Sequence, residues 1–284
     1  MGNVAIVTDS VSCLPQVINN EYEIEIVPLN IHHGDKTYID GINITPQQVY
    51  SLQRADEILT TSAAPPGTFL ETFHRLAKKT KEILCLTVAS TYSATFSSMQ
   101  SAIEAAKKQL PELRIELVDC YTGSAAQALI ALTAARAAKL GHNLDRIISK
   151  VKHVIPKAEI IMVLDTLKYL ERGGRAPKVG AWATSLLKLK PVATNRMGHA
   201  HFLGMVRSRA QGIERLIKAM KQTVGLKKMS VIVVHSDLET EAKELERCLC
   251  SEFNCNETYI TEVSAVVAVH LGPGSIGTAF LPQD

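Results

Sequence analysis

Two hydrophobic periodicities alternate along the first half of the chain. Short, mostly apolar runs typical of buried strands are each followed by segments in which apolar residues recur every three or four positions, as in amphipathic helices. This pattern predicts strands at 4–7, 23–31, 83–89 and 114–118 and helices at 66–79, 92–106, 125–139 and 143–154. Because strands that alternate with helices build mostly parallel sheets, we expect an α/β fold here.

The pattern changes near residue 159. The second half predicts a strand at 160–164, a short helix at 178–187, a β-hairpin of 189–193 and 201–206, helices from 208 and over 237–253, and strands at 230–235 and 263–269. Hairpin strands combined with helices are typical of an α+β unit with a mixed sheet. With 284 residues the chain is long enough for two domains, which we place at 1–158 and 159–284.

Hydroxyl side chains cluster where two predicted strands end and helices begin. One cluster is Thr60, Thr61 and Ser62, and the other runs from Ser90 to Ser93. The start of a helix presents unpaired N–H groups and the positive end of the helix dipole, and neighbouring hydroxyls add further donors. The clusters therefore predict sites for an acidic group such as phosphate or carboxylate, and an acyl-enzyme on one of the serines is the open alternative.

Composition narrows the class of protein. Hydrophobic residues make up 46% and charged residues 21% of the chain, which is typical of a soluble globular protein, and the net charge of +3 is too small to indicate nucleic-acid binding. No apolar run approaches the roughly 18 residues of a membrane span, and the N-terminus lacks the pattern of a signal peptide. The six cysteines are scattered, which is typical of a protein in the reducing cytoplasm. We also expect neither a metal nor a cofactor.

Motifs of common catalytic sites give little support for an enzyme. The chain has no Gly-x-x-x-x-Gly-Lys-Ser/Thr loop and no Gly-x-Ser-x-Gly elbow. The glycines of 272–277 resemble a dinucleotide loop, but Pro273 removes an N–H that such a loop would use. A serine-dependent hydrolase or acyl-transferase that uses Ser93 and His270 stays open as the alternative function.

Several histidines and arginines are candidates for binding. His32 and His33 are better explained as solvated side chains than as ligands of a metal ion. In Arg172-Gly-Gly-Arg175 the glycines allow a tight turn, and the planar arginine fork matches carboxylate or phosphate. Arg207 and Arg209 are further candidates, and a plain surface role remains open for all of these arginines.

Seven segments, in this order, resemble the DegV family of bacterial lipid-binding proteins. They are Ile6–Ser10, Val27–Ile31 with Tyr38–Gly41, Thr61–Gly67, Ser90–Phe96, Leu167–Arg175, Leu187–Pro191 and His270–Gly274. The resemblance covers nearly the whole chain. It implies two α/β domains with a fatty acid between them and its carboxylate near the domain interface.

The resemblance also implies roles for individual residues. Thr61, Ser62, Ser93 and His270 would hold the carboxylate, while Arg175 and Arg207 would border the head group or face a partner. The family includes the non-catalytic, fatty-acid-binding subunit of bacterial fatty acid kinase. Such a subunit presents the carboxylate of palmitate, stearate or oleate to a separate kinase subunit, and the acyl phosphate enters phospholipid synthesis. Transient contact with a membrane would accompany this role.

Two departures from the family pattern weaken the kinase part of this expectation. Ala94 replaces the usual glycine beside Ser93, and Met205 stands where lysine is frequent. A carrier of another acidic lipid, without a kinase partner, is therefore the second alternative.

The acyl chain would supply most of the affinity. Burying a chain of roughly 16 carbons at about 0.8 kcal/mol per CH₂ exceeds what one set of carboxylate hydrogen bonds contributes. Apolar residues on the two helices that follow the hydroxyl clusters are the candidates for its tunnel, with core packing as their alternative role: Phe69, Phe73, Phe96 and Met99.

Overall fold

A computed structural model describes residues 4–176 and 189–283. Its α-helices are α1 (Gln16–Tyr22), α2 (Pro46–Arg54), α3 (Pro66–Leu76), α4 (Thr95–Gln109), α5 (Ser124–Lys139), α6 (Leu144–Val154), α7 (Lys168–Arg172), α8 (Arg209–Val224), α9 (Glu239–Glu252) and α10 (Ala265–Leu271). Its strands are β1 (Val4–Asp9), β2 (Glu25–Val27), β3 (Asn30–His33), β4 (Lys36–Ile39), β5 (Leu59–Ser62), β6 (Glu82–Thr87), β7 (Arg114–Asp119), β8 (Glu159–Val163), β9 (Lys190–Arg196), β10 (His199–Val206), β11 (Met229–His235), β12 (Cys255–Glu262) and β13 (Ile276–Pro282).

The first sheet has the order β2-β1-β6-β7, and all its strands are parallel. Helices α3 and α4 pack on one face, where Phe73 and Met99 meet Val7 and Ile83 in a closed apolar cluster. This arrangement confirms the parallel α/β unit that the alternation of strands and helices predicted.

The second sheet has the order β10-β9-β8-β13-β11-β12 and is mixed, since β11 and β12 are parallel and the other pairs are antiparallel. Helices α8 and α9 cover its outer face. A small antiparallel sheet, β4-β3-β5, completes the strands. The predicted strand 23–31 is wrong as one element, because it divides around Pro28 into β2 and β3 of different sheets. Proline has no N–H for a strand ladder, which explains the break.

Helix α5 joins the two larger sheets. It contacts β1 and β6 of the first sheet and β8, β11 and β13 of the second. Its alanines are buried on several sides, and their small side chains let both sheets approach closely. One continuous apolar core therefore runs between the parallel sheet and the mixed sheet, whose first strand, β8, starts at Glu159.

The predicted strand at 263–269 is wrong, because helix α10 begins at Ala265. Strand β12 is an element that the sequence analysis does not predict. The β-branched run from Val263 to Val269 favours a strand by propensity, but tertiary context overrides propensity in a segment buried on all sides. The Asp40 carboxylate accepts a hydrogen bond from the N–H of Ala265 at 2.9 Å and so satisfies the first turn of α10.

The predicted helix at 178–187 lies outside the described residues. In the ranges 4–176 and 189–283, no helix is both long and apolar enough to cross a membrane. The same ranges contain no group of three or more metal-ligating side chains, and Cys248, Cys250 and Cys255 are free thiols.

Candidate functional site

A cavity of about 420 Å³ lies between the parallel sheet, the small sheet and the inner face of the mixed sheet. Val11, Val88 and Gly123 line it from the loops after β1, β6 and β7. These are the carboxyl ends of parallel strands, where α/β sheets place their ligands. The volume is within the usual range for small-molecule pockets, roughly 300–1,000 Å³.

The polar part of the cavity wall combines side chains from both halves of the chain. Thr61, Ser62 and Ser93 come from the two hydroxyl clusters, and Arg175 and His270 come from the second half. The structure therefore brings five of the six predicted head-group residues to one cavity.

His270 lies in the last turn of α10, and its Nε2 is 2.8 Å from the Thr61 hydroxyl oxygen. Burial, with the nearby positive charge of Arg175, lowers the pKa of His270 to about 4. The imidazole is therefore neutral near pH 7 and carries one N–H. Among the described residues, Nδ1 of His270 has no hydrogen-bond partner.

Ser93 lies just before α4. Its hydroxyl oxygen accepts a hydrogen bond from the N–H of Thr95 at 3.2 Å and is 2.8 Å from the Thr95 hydroxyl. One turn further on, the Ser98 hydroxyl donates to the carbonyl of Ala64 at 2.6 Å. This bond joins α4, which follows one hydroxyl cluster, to the segment that follows the other. Both clusters line the same cavity, so what the sequence presents as two sites forms one wall.

The loop before Ser93 is held by the second half of the chain. The Tyr92 hydroxyl donates to Asn195 Oδ1 at 2.6 Å, and Arg175 Nε donates to the Tyr92 carbonyl at 3.1 Å. The Thr91 hydroxyl donates to the carbonyl of Gly198. The sequence predicts a hairpin of 189–193 and 201–206, but no signal in it links the turn of that hairpin to the hydroxyl cluster.

Arg207 does not reach the cavity. Its side chain is exposed, and its N–H donates to Gln211 Oε1 at 3.0 Å near the start of α8. Arg172 is paired with Asp56 at 3.0 Å. The expectation that Arg207 borders the head group is therefore corrected, and Arg175 alone of the candidate arginines lines the cavity.

The four residues expected to form an acyl tunnel lie elsewhere. Phe69, Phe73 and Met99 are fully buried in the cluster on the face of the parallel sheet turned away from the cavity, and half-buried Phe96 does not line it either. Helices α3 and α4 follow the hydroxyl clusters in sequence but pack on that opposite face. The apolar wall consists instead of residues from β8, β10, α10 and their flanks, among them Ile160, Met162, Leu164, Phe202, Val266 and Val267.

The alternation of a strand explains part of this wall. Ile160, Met162 and Leu164 are two positions apart and point to the same side of β8, whereas Ile161 and Val163 belong to the cluster under α8 and α9. The two-residue period was visible in the sequence, but it does not tell which side faces a cavity.

Comparison with known proteins identifies the fold. A family model described as "Uncharacterised protein, DegV family" matches residues 3–283. A DegV domain-containing protein of Caldanaerobacter subterraneus subsp. tengcongensis is 33% identical over 281 residues, covering 99% of each chain. A fatty-acid-binding DegV family protein from Thermus thermophilus gives a TM-score of 0.90 at 27% identity, with 100% of each chain covered. A stearic acid-binding protein from Eubacterium ventriosum gives 0.91 at 25% identity, covering 99% of this chain and 98% of its own.

A parallel sheet and a mixed sheet that enclose an apolar cavity define an α/β protein of the DegV type. The chain belongs to the DegV family. The solved relatives from Thermus thermophilus and Eubacterium ventriosum bind a fatty acid and stearic acid, respectively.

Proposed function

We propose that this chain binds one long-chain fatty acid in the cavity and presents its carboxylate to a separate fatty acid kinase subunit. The observation that carries the proposal is the composition of the cavity wall. Aliphatic side chains make up most of it, and the Thr61–His270 pair lies on it together with Ser93 and Arg175. This combination suits a ligand with one acidic group and a long apolar tail.

The polar groups match the needs of a carboxylate. An ionised carboxylate only accepts hydrogen bonds, while hydroxyls and the N–H of a neutral imidazole donate them. Arg175 adds a positive charge near His270. We assign Thr61, Ser62, Ser93 and His270 to the carboxylate, and we place the acyl chain along β8 and α10 rather than along α3 and α4.

The contacts of the serine favour binding over catalysis. A serine nucleophile needs a base within hydrogen-bond reach. The Ser93 hydroxyl is paired with Thr95, and His270 is paired with Thr61, so Ser93 and His270 do not form a nucleophile–base pair. This supports a non-catalytic subunit, in keeping with the fatty acids bound by the solved relatives.

The kinase partner is the finer part of the proposal. Exposed Arg207 would face the partner, and Arg175, at the cavity, would meet the acyl phosphate. We place this acyl phosphate on the route to phospholipid synthesis in the cytoplasm. Transient membrane contact would allow exchange of the lipid. We also propose 1–158 and 159–284 as the two domains, with the head group at their interface.

Two experiments test the function. Denaturing extraction of the purified protein and mass spectrometry should find about one fatty acid per chain, of the palmitate, stearate or oleate class. A lipid-free protein that also fails to bind added palmitate and oleate would refute the proposal. Adding a purified fatty acid kinase subunit and ATP should then yield acyl phosphate, and its absence despite fatty-acid binding would favour a carrier that works without a kinase.

A further inference from the structure

A hydrogen-bonded chain of three side chains crosses the small sheet beside the cavity. His32, in β3, has its Nδ1 3.0 Å from the Thr37 hydroxyl and its Nε2 2.9 Å from the Ser62 hydroxyl. In the register of this sheet His32 lies opposite Thr37 on β4 and opposite Thr60 on β5. Ser62 is thus the diagonal neighbour of His32 on the same face, within reach of a long side chain.

Ser62 occupies a different position from Thr61, although the two are adjacent in sequence. Successive side chains of a strand point to opposite faces, and Thr61 turns toward His270 while Ser62 turns toward His32. Ser62 is the last residue of β5, is exposed, and lines the cavity, so it lies where the cavity meets solvent. The two hydroxyls therefore have separate histidine partners.

The tautomer of His32 decides whether the Ser62 hydroxyl donates a hydrogen bond to a ligand or only accepts one. When His32 carries its proton on Nε2, it donates to the Ser62 oxygen and accepts from Thr37 at Nδ1, which leaves the Ser62 O–H free to donate outward. In the other tautomer the Ser62 O–H donates to Nε2, and the serine offers a ligand only lone pairs. A carboxylate accepts and does not donate, so it requires the first arrangement.

We propose that His32 is a positioning residue that, together with Thr37, directs the Ser62 hydroxyl toward the fatty-acid carboxylate and so favours a charged head group over a neutral one. This inference rests on the proposed fatty-acid binding. His32 lies in a short strand of the small sheet, so the sequence alone does not suggest this role.

The experiment compares the affinities for oleate and oleyl alcohol in variants of the full chain. An alcohol both donates and accepts, so it binds with either arrangement of the Ser62 proton. His32→Asn keeps a group near Nδ1 but loses the donor to Ser62, whereas His32→Gln keeps a donor near Nε2. His33→Asn is the matched control, because the neighbouring histidine faces the other side and contacts Glu57 at 3.2 Å.

We expect His32→Asn to weaken oleate binding about five- to tenfold while leaving oleyl alcohol unchanged. His32→Gln should retain most of the preference for oleate, His33→Asn should retain all of it, and His32→Asn should add no loss in a Ser62→Ala background. Equal losses for both ligands, or an unchanged oleate affinity in His32→Asn, would overturn the inference while wild-type binding still supported the proposed function. Failure of the wild type to bind either ligand would overturn both.

Discussion

Gly173 and His270 lie in close contact, although almost a hundred residues separate them in sequence. A β-carbon at position 173 would come 2.3 Å from Nδ1 and 2.8 Å from Cε1 of His270. Gly173 has a φ of −79°, which any residue adopts, so its backbone conformation does not require glycine. Glycine is needed here because the imidazole lies against its backbone, and this contact holds His270 toward Thr61.

We expect Gly173→Ala to push the His270 ring away from Thr61. The added methyl group should cost about 1–3 kcal/mol in free energy of unfolding, as overpacking does elsewhere, and should weaken oleate binding about tenfold. Urea denaturation and calorimetric titration with oleate measure the two effects. Gly67→Ala is the control, since a β-carbon there meets nothing within 4 Å and alanine suits helix α3 better. Wild-type affinity in Gly173→Ala would contradict this role of the contact.

The low pKa of His270 predicts a specific dependence of stability on pH. The pKa is about 4 in the folded protein and 6.5 ordinarily, so the unfolded chain binds more protons between these values. The contribution of His270 to the free energy of unfolding is therefore fully present above pH 6.5 and falls as the pH drops toward 4. Asp9, whose pKa burial raises to about 6, shifts stability in the opposite direction in the same window.

Comparison with a His270→Gln variant isolates the histidine from Asp9. The wild type should lose stability relative to the variant as the pH falls from 6.5 to 4.5, and the difference should be constant between pH 7 and 8. Urea denaturation at each pH measures it. A difference that stays constant over the whole range would show that His270 titrates normally.

A large side chain placed in the cavity should abolish ligand binding with little change in the free energy of unfolding. Ala193 of β9 lines the cavity on the inner face of the mixed sheet. We expect Ala193→Phe to abolish oleate binding, because the ring occupies the space for the acyl chain, and to change the free energy of unfolding by less than about 1.5 kcal/mol.

Phe73→Leu serves as the control, because it should lower stability without changing oleate binding. Phe73 is fully buried in the closed cluster under α3 and α4. The substitution should cost about 1–3 kcal/mol in stability, while the folded protein keeps its affinity for oleate. Normal binding by Ala193→Phe together with lost binding by Phe73→Leu would place the acyl chain at α3 and α4 after all.

The hydroxyl clusters could be predicted from the sequence because they mark strand ends, and the ends of parallel strands meet at one edge of a sheet. Ser93 is positioned in this way. Thr61 belongs to the small sheet, and its pairing with His270 depends on how α10 packs against β3 and β5. The residues adjacent to Thr61 and His270 in sequence do not indicate that packing.

The acyl-chain wall could not be predicted for a related reason. The run Val263–Val269 has neither a clear helical nor a clear strand period, so its short helix follows from the surrounding core. On β8, Ile160 and Ile161 are equally apolar, yet they face opposite sides of the mixed sheet. Only the arrangement of the sheets decides which of the two meets the cavity.

The hydrogen bond between Tyr92 and Asn195 links the loop that carries Ser93 to the hairpin of β9 and β10. Burial raises the pKa of Tyr92 to about 12, so its hydroxyl remains a donor at ordinary pH. We expect Tyr92→Phe to cost about 1 kcal/mol in stability and, by loosening the loop, to speed oleate dissociation several-fold. A double-mutant cycle with Asn195→Ala should give a coupling energy of about 0.5–1.5 kcal/mol.

Tyr259→Phe is the matched control, because it removes a similar bond, to Glu257 on β12. It should lower stability without changing the oleate dissociation rate measured by stopped flow. Equal dissociation rates in the two tyrosine variants would show that the Tyr92 bond stabilises the fold without holding the ligand.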